Sequence, residues 1–495
     1  MNISRKKYWA FFFGTSGGLL AGVGLSQGGF LFTLLALAFL WASKGFPTAG
    51  CLWGGGATLF SHRWLLALHP LTWLGIPEWL SLPIAVLIWL SCGMFGALLV
   101  GCWCFLGNTS FFNKTAQPSI QQQFLVAFAL ALIWALIEVC LTKSPMFWVG
   151  LSVSFLPQDR WLVGLARWIG AGGVVTVQLL MGWWLWQLGV AKVRGDLFLR
   201  LLAWGSFAVL LIHFLGWQLI SNDQFSSTKR IALWQTNIPT REKFTTLQLK
   251  RLPESIQEAL EQAEKLNSDF LVAPEGTMQA GQTLASPSPI PFLTGGFRWI
   301  DSKQRSALLV FREGETKFKE VIDKYRLVPL GEWLPSLPGI TPKGLSFVGG
   351  LEPGKASRLL RWNGPPVGVA ICYELSDGNA LAKATMRGAE WILSIANLDP
   401  YPLSLQKQFI ALAQLRSIEL ARDVITVANT GPTSLVLSSG EVISLIPPFK
   451  NDVASIDVHL SNKISGYARW KELPLITSLI ITLFAISRLK KTIDN

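Results

Sequence analysis

The sequence predicts a polytopic α-helical membrane domain of about eight spans joined to an extracytoplasmic, water-soluble α/β domain. Seven apolar segments of close to bilayer length crowd into the first 220 residues, strand-like and helical patterns alternate from about Arg230 to Tyr467, and an eighth apolar run, Leu473–Ser487, follows. The chain is 51% hydrophobic and only 15% charged, against roughly 25% charged residues in soluble proteins, and its mean hydropathy is +0.40. Its 23 Trp suit a membrane–water interface.

Arg5-Lys6-Lys7 precede an apolar run from Tyr8 to about Ser26. No small-x-small cleavage site separates this run from the next, so it is expected to be retained as a first span. Further spans are expected at about Gly28–Ser43, Thr48–Leu68, Leu80–Leu106, Phe124–Leu141, Ile169–Leu188 and Leu201–Leu219, each near the ~20 residues that cross a bilayer. The third is the weakest, because His62 and Arg63 interrupt it. Arg5-Lys6-Lys7, Lys44, Lys114, Lys192 and Arg194 fall on one side, and Arg63, Lys143 and Arg160 on the other. The majority sets a cytoplasmic N-terminus, and seven crossings deliver the chain to the outside.

A polar linker, 221–229, leads to a soluble domain over 230–467; residues 468–495 form the last span and a basic cytoplasmic tail with Arg488, Lys490 and Lys491. The net charge of +13 is expected to serve cytoplasmic anchoring and anionic lipid. No nucleic acid is expected, since no basic run carries interleaved aromatics. Strands are predicted at Ile231–Trp234, Phe270–Ala273, Ala307–Phe311, Val367–Ile371, Trp391–Ile395 and Val424–Val427, and helices at Leu247–Leu266, Ala380–Arg387 and Ser404–Arg422. Such alternation builds layers around a mainly parallel or mixed sheet. The sequence shows no internal repeat and no low-complexity tract.

Five of the six cysteines lie in apolar segments, which leaves Cys372 alone in the polar half. The four histidines are too dispersed for a zinc pattern, and no metal is expected. Cys372 follows the buried run Val367–Ile371, at the C-terminal strand end where α/β folds place their chemistry. Glu275 and Lys324 also stand at the ends of apolar runs. A glutamate that takes the thiol proton, a thiolate that attacks a carbonyl and an ammonium that stabilises the oxyanion would together perform acyl transfer. The backbone N–H of Tyr373 would be a second oxyanion donor. Taken singly, Cys372 also reads as a small core residue, Glu275 as a solvated turn carboxylate and Lys324 as a surface charge.

Glu275 after Val272-Ala273-Pro274, Lys324 eight positions before Glu332 in Leu327-Val328-Pro329-Leu330-Gly331-Glu332, and Ile371-Cys372-Tyr373-Glu374 resemble the Glu-Lys-Cys triad of the carbon-nitrogen hydrolase (nitrilase) superfamily. Arg416-Ser417-Ile418-Glu419 and Val427-Ala428-Asn429-Thr430-Gly431 are similar to that superfamily as well. Seven spans before such a domain and one after it resemble, more narrowly, the apolipoprotein N-acyltransferase family. The resemblance implies an αββα sandwich and a ping-pong reaction at the outer face of a bacterial cytoplasmic (inner) membrane. Cys372 would take an acyl chain from a phospholipid donor as a thioester, and the α-amino group of the diacylglyceryl-cysteine of an apolipoprotein would accept it. Glu275 would be general base and acid, Lys324 the oxyanion stabiliser and Glu332 a carboxylate that positions Lys324 or relays protons. Tyr373 and Glu374 would line the site, with no cofactor and with the protein acting as a monomer. A domain tethered by flanking spans sits within reach of lipid, which a soluble amidase does not need. The alternative enzyme is a membrane-tethered nitrilase-like amidase or hydrolase, and the non-enzymatic reading is a transporter or scaffold with a degenerate nitrilase domain.

Three positions depart from that family's pattern. Phe244 stands where a tryptophan is usual after Asn237-Ile238-Pro239, Gln304-Arg305-Ser306 replaces Tyr-Asn-Ser, and Arg326 replaces a histidine. The stretch Trp333–Ile340 is expected either to cover the core or to form a lid or acyl-entry loop, with Trp333 near substrate. Glu138 lies within the fifth span, where a carboxylate must face protein or water; packing or a lipid headgroup is its expected role. His213 in the seventh span is expected to hydrogen-bond between helices.

Overall fold

A computed structural model describes residues 3–74, 76–112, 118–144, 150–194, 197–221, 223, 225–243, 245–329, 332 and 350–494. Apolar helices occupy the expected spans: α1 (Ile3–Gln27), α2 (Phe30–Ser43), α3 (Pro47–Ser61), α4 (Glu78–Leu106), α5 (Ile120–Thr142), α6 (Ala166–Arg194), α7 (Phe198–Ser221) and a last helix, Leu473–Asp494. Among the described residues five of these, α1 and α4 to α7, are long and apolar enough to cross a membrane unaided, and α2, α3 and the last helix are shorter. The expected third span, Thr48–Leu68, is corrected. Helix α3 stops at Ser61 because the His62 ring folds back within hydrogen-bond distance of Thr58 O (3.2 Å) and Ser61 Oγ (3.0 Å), and Arg63–Leu68 continues as a 3-10 helix.

The bundle is held by close backbone approach as well as by bulk. A Cβ on Gly54 would lie 2.2 Å from Gly96 O, so α3 and α4 meet where neither has a side chain. Helix α7 instead turns Leu199, Trp204, Phe207 and Leu210 outward, the surface a lipid-facing helix needs.

The α/β domain contains two six-stranded mixed sheets. The first runs β12-β1-β2-β3-β4-β5 and the second β11-β10-β9-β8-β7-β6. The strands are β1 (Ser227–Gln235), β2 (Phe270–Met278), β3 (Phe292–Ile300), β4 (Lys303–Phe311), β5 (Phe318–Asp323), β6 (Leu359–Leu360), β7 (Val367–Ile371), β8 (Trp391–Ala396), β9 (Val424–Ala428), β10 (Thr433–Val436), β11 (Val442–Ile446) and β12 (Asp452–Leu460). Period-two alternation sorts each strand into two cores. Ile231 and Leu233 of β1 meet Val367, Val369 and Ile371 of β7 between the sheets. Ala232 and Trp234 face the other way, onto helix α8 (Thr246–Lys265). Ala370, Ile392 and Ala428 of the second sheet pack with helices α9 (Gly378–Met386) and α10 (Leu403–Leu420). The order is therefore helix, sheet, sheet, helix, an αββα sandwich.

The α10 layer rests on the membrane bundle. Helix α6 breaks at Gly170, where φ is +65° and an added Cβ would lie 2.5 Å from the Tyr467 ring. The freed N–H of Ala171 donates to Glu419 Oε1 (2.6 Å), and Glu419 is also ion-paired to Arg416, so the Arg416–Glu419 motif is a docking element. Arg167 donates to Leu219 O, Ile418 O and Ser438 O and is ion-paired to Asp223. Gln408 donates to Leu25 O (3.0 Å), and Ser376 to Thr142 O (3.0 Å). These contacts come from the ends of α1, α5 and α7 and the start of α6, so the domain sits on one end of the bundle.

Candidate active site

Strand ends bring the chemistry together. Pro274 has no N–H for a ladder, and the β2–β3 register breaks between Ala273 and Met278, which frees Glu275 to turn out of the sheet. Opposite it, a Cβ on Gly295 would lie 2.4 Å from Glu275 Cα, so only a glycine admits this backbone. Lys324 follows β5, fixed by its N–H to Ser306 O (2.8 Å) and its carbonyl from Gly354 N–H (2.7 Å). Cys372 follows β7 at φ +56°, a left-handed conformation uncommon for a non-glycine residue. It starts the 3-10 turn Cys372–Ser376 and stays partly exposed.

Lys324 is fully buried and donates to Glu275 Oε1 at 2.8 Å and to Glu332 Oε1 at 2.7 Å. The other carboxylate oxygens accept backbone N–H groups, Glu275 Oε2 from Asn397 (3.1 Å) and Glu332 Oε2 from Val328 (2.9 Å). Two of the three ammonium donors are thus taken, and among the described residues the third has no partner. Burial works against the charge on Lys324, but Glu275 and Glu332 outweigh it and hold its pKa well above the ordinary value. Burial raises the Glu332 pKa although Lys324 pulls it down. Burial, then the charge of Glu275, pushes the Cys372 thiol far up, while Lys324 and the N–H of Tyr373 favour its thiolate. The resting sulfur is therefore a neutral thiol, and its proton has to leave as attack begins.

Glu374 supports the site rather than lining it. Its side chain is buried and accepts from the N–H groups of Tyr325 (2.6 Å), Arg326 (3.1 Å) and Ile371 (2.9 Å) and from Arg358 Nη1 (2.9 Å). This clamp ties the Lys324 loop to the strand that ends in Cys372. Glu374→Gln is expected to lower stability by about 3–5 kcal/mol, read as thermal unfolding in detergent, because an amide NH₂ would face these donors and leave Arg358 buried without its counter-charge. Tyr373 donates through its hydroxyl to Leu327 O (2.6 Å), and its ring lies under Arg326, 4.7 Å from the guanidinium carbon.

Arg326 donates to Thr142 O (2.9 Å) and Ser144 O, so this departure ties the site loop to the end of α5. Arg305 pairs with Asp323 (3.1 Å), as does Arg298 (2.7 Å). Burial opposes the Asp323 charge, but the two guanidinium groups more than offset it and hold its pKa below the usual value. Glu138 accepts from Trp134 Nε1 (3.1 Å) and Leu151 N–H (3.0 Å), a packing role. His213 Nε2 lies 3.0 Å from Asp159 Oδ2. Phe244, Trp333 and the Trp333–Ile340 loop lie outside the described residues.

Residues not singled out from sequence complete the site. Asn397, just past β8, donates to Thr240 Oγ1 (2.9 Å) and accepts at Oδ1 (2.9 Å) from Asn429, which belongs to the Val427–Gly431 stretch already noted. Lys243 is buried and donates to Glu275 O (3.2 Å); burial pushes its pKa down to about 8, against the pull of Glu275 and Asp399. Burial first, and then the neighbouring Cys372 and Glu332, raises the Tyr401 pKa. Its ring stacks edge-on at 5.4 Å with Trp64 of the membrane part, so the apolar wall beside Cys372 is continuous with the bundle.

The chain is 61% identical over 488 residues, 99% of both chains, to the apolipoprotein N-acyltransferase of Prochlorococcus marinus strain SARG. The chain belongs to the apolipoprotein N-acyltransferase family. A second relative of that name, from Parasynechococcus marenigrum, is 49% identical over 92% of this chain and 95% of its own. No family model matches the chain. Among solved structures, a branch 10 nitrilase-superfamily member from Saccharomyces cerevisiae aligns with 48% of this chain and 93% of its own at 15% identity and a TM-score of 0.37. A C-to-A mutant amidase of that superfamily from Nesterenkonia aligns with 50% and 96% at 14% identity and a TM-score of 0.36. As a member of the apolipoprotein N-acyltransferase family, the protein is a membrane-bound acyltransferase.

Proposed function

We propose that this acyltransferase N-acylates the α-amino group of the diacylglyceryl-cysteine of apolipoproteins, with a phospholipid as acyl donor and a thioester on Cys372 as the intermediate. One observation carries the reading: a partly exposed cysteine in a left-handed strand-end turn lies within the field of a buried lysine held by two carboxylates.

In the first half-reaction Glu275 takes the thiol proton as the sulfur attacks the ester carbonyl. The third Lys324 N–H and the Tyr373 backbone N–H receive the oxyanion. Collapse breaks the ester C–O bond, Glu275 returns its proton to the leaving alkoxide and lysophospholipid departs. In the second half the neutral α-amine attacks the thioester, Glu275 takes a proton from the attacking nitrogen, the C–S bond breaks, and Glu275 passes that proton to the departing sulfur, which restores the thiol and the carboxylate. Glu332 holds Lys324 in place throughout. The apolar wall of Tyr401 and Trp64 supports an acyl chain at the sulfur and disfavours water there.

Purified protein given phospholipid and a diacylated lipopeptide is expected to release lysophospholipid in step with a peptide that gains one acyl chain. Without the peptide, release should stop near one equivalent; continued turnover to free fatty acid would instead establish a hydrolase. Lys243 adds a pH signature. Below about pH 8 its ammonium opposes proton uptake by Glu275, and above it the neutral amine does not. Thioester formation is expected to rise with an inflection near that pH, and single-turnover rates of Lys243→Met should lack it.

The same reading places the α/β domain on the outer face of a bacterial cytoplasmic membrane, both termini in the cytoplasm and the protein as a monomer. Basic loops and span parity support that orientation. Alkaline phosphatase fused within the domain should be active and green fluorescent protein dark; the opposite pattern would reverse the orientation.

A further inference from the structure

At the end of the bundle away from the α/β domain lies a cleft of about 450 Å³. It is built where the N-terminus of α1, the C-termini of α2 and α4, the N-terminus of α5 and the last turns of α6 converge. Lys6, Lys44, Asn108, Gln123, Trp186 and Gln187 line it, and among the described residues no acidic side chain does. Lys44 is half-buried, and among the described residues neither lysine has an ion-pair partner. Gln187 donates to Gln123 Oε1 (3.1 Å), which aligns two carboxamides on the cleft wall.

Two lysines on one cleft with no ion-pair partner among the described residues make it a net positive site, and an anion bound there is attracted by both. The cleft lies at the ends of apolar helices, beside the indole of Trp186, a side chain favoured where such helices meet the headgroups. Basic pockets of this kind between helices suit anionic headgroups. One and two turns along α1 from Lys6, the exposed Trp9 and Phe12 offer an apolar surface for chains. The carboxamides of Gln123 and Gln187 supply further donors and acceptors for headgroup hydroxyls.

We propose that this cleft binds the phosphodiester headgroup of an anionic glycerolipid in the leaflet opposite the catalytic domain. The site is separate from the acyl-donor site and does not depend on the thioester chemistry.

The test uses the full-length protein in a neutral detergent and short-chain, ether-linked lipids, which carry no carboxylic ester for the enzyme to consume. Phosphatidylglycerol, phosphatidylcholine of the same chain length and inorganic phosphate are titrated separately, with retained lipid read by native mass spectrometry and unfolding temperature read in parallel. Wild type is expected to give a saturable response to phosphatidylglycerol and none to phosphatidylcholine. Lys44→Gln and Lys6→Gln/Lys44→Gln should weaken it about fivefold for each charge removed, whereas Lys44→Arg should retain it. Equal responses to both lipids, or an undiminished response in the double variant, would overturn the proposal. A response to inorganic phosphate at the same concentrations as phosphatidylglycerol would assign the cleft to free phosphate and overturn the lipid reading. If the double variant does not fold, the contrast between Lys44→Gln and Lys44→Arg decides the matter.

Discussion

Acyl transfer by Cys372→Ala is expected to fall at least about 10³-fold, since removal of a nucleophile takes away every later step. The fold should survive. Cys372 is partly exposed, its replacement is smaller, and alanine meets the same left-handed backbone at φ +56° that the cysteine already tolerates. An unfolding temperature close to wild type with no transferred acyl chain is the expected pair of results. Cys372→Ser should fail as well: a serine hydroxyl is a far weaker acid than a thiol, and the same Glu275 carboxylate would have to deprotonate it. A Cys372→Ala enzyme within tenfold of wild type would remove the sulfur from the reaction.

Lys324→Met is expected to act on both stability and rate. Methionine fills much of the space of the lysine stem, but Glu275 and Glu332 lose the ammonium they share at 2.8 and 2.7 Å. Breaking a buried ion pair costs about 3–5 kcal/mol, and two facing carboxylates cannot both stay ionised cheaply. One takes up a proton; if it is Glu275, the base is lost along with the oxyanion donor. The rate should therefore fall by more than the roughly 10²–10³-fold typical of an oxyanion donor alone. Lys324→Met/Glu332→Leu removes the carboxylate repulsion and should recover part of the stability but none of the rate. Recovery of both would make Lys324 a structural residue only.

The sequence carried the architecture where a single element decides it. Strand β7 forms at Val367–Ile371 as its short, continuous apolar run predicts, and α8 and α10 fall within a residue or two of their patterns. The third span fails at His62, where a polar ring finds a backbone partner one turn back and ends the helix. Strands β3, β5, β6 and β10 to β12 are absent from the sequence reading because they are short, half-buried or carry Gly and charge within the strand. The β3–β4 hairpin turns on Asp301 and Ser302, both left-handed at φ +47° and +65°, without the Asn-Gly or Asp-Gly pair that usually marks such a turn. The two sheets also repeat one pattern of parallel and antiparallel pairing, from β12 to β5 and from β6 to β11, with no repeat in the residues.

At the site, Glu275, Lys324 and Cys372 were legible because each ends an apolar run and each residue type has a defined chemical use. Glu374 was legible as a position but not in its work, since its partners Tyr325, Arg326, Arg358 and Ile371 come from three separate segments. Asn397, Lys243 and Tyr401 gave weaker signals. Asn397 ends the predicted strand Trp391–Ile395 much as Cys372 ends its own, and that placement could have marked it. Lys243 could not have been found this way: a lysine in a polar stretch reads as a surface charge until the fold buries it against Glu275.

The central claim is that Cys372 carries the acyl chain. Intact-protein and peptide mass spectrometry after incubation with a defined phospholipid, without acceptor, tests it most directly. The account predicts one hydroxylamine-labile acyl adduct on the peptide containing Cys372, which disappears when diacylated lipopeptide is added and is absent from Cys372→Ala. An active preparation with no adduct on that peptide, or with an adduct that the acceptor does not discharge, would contradict it.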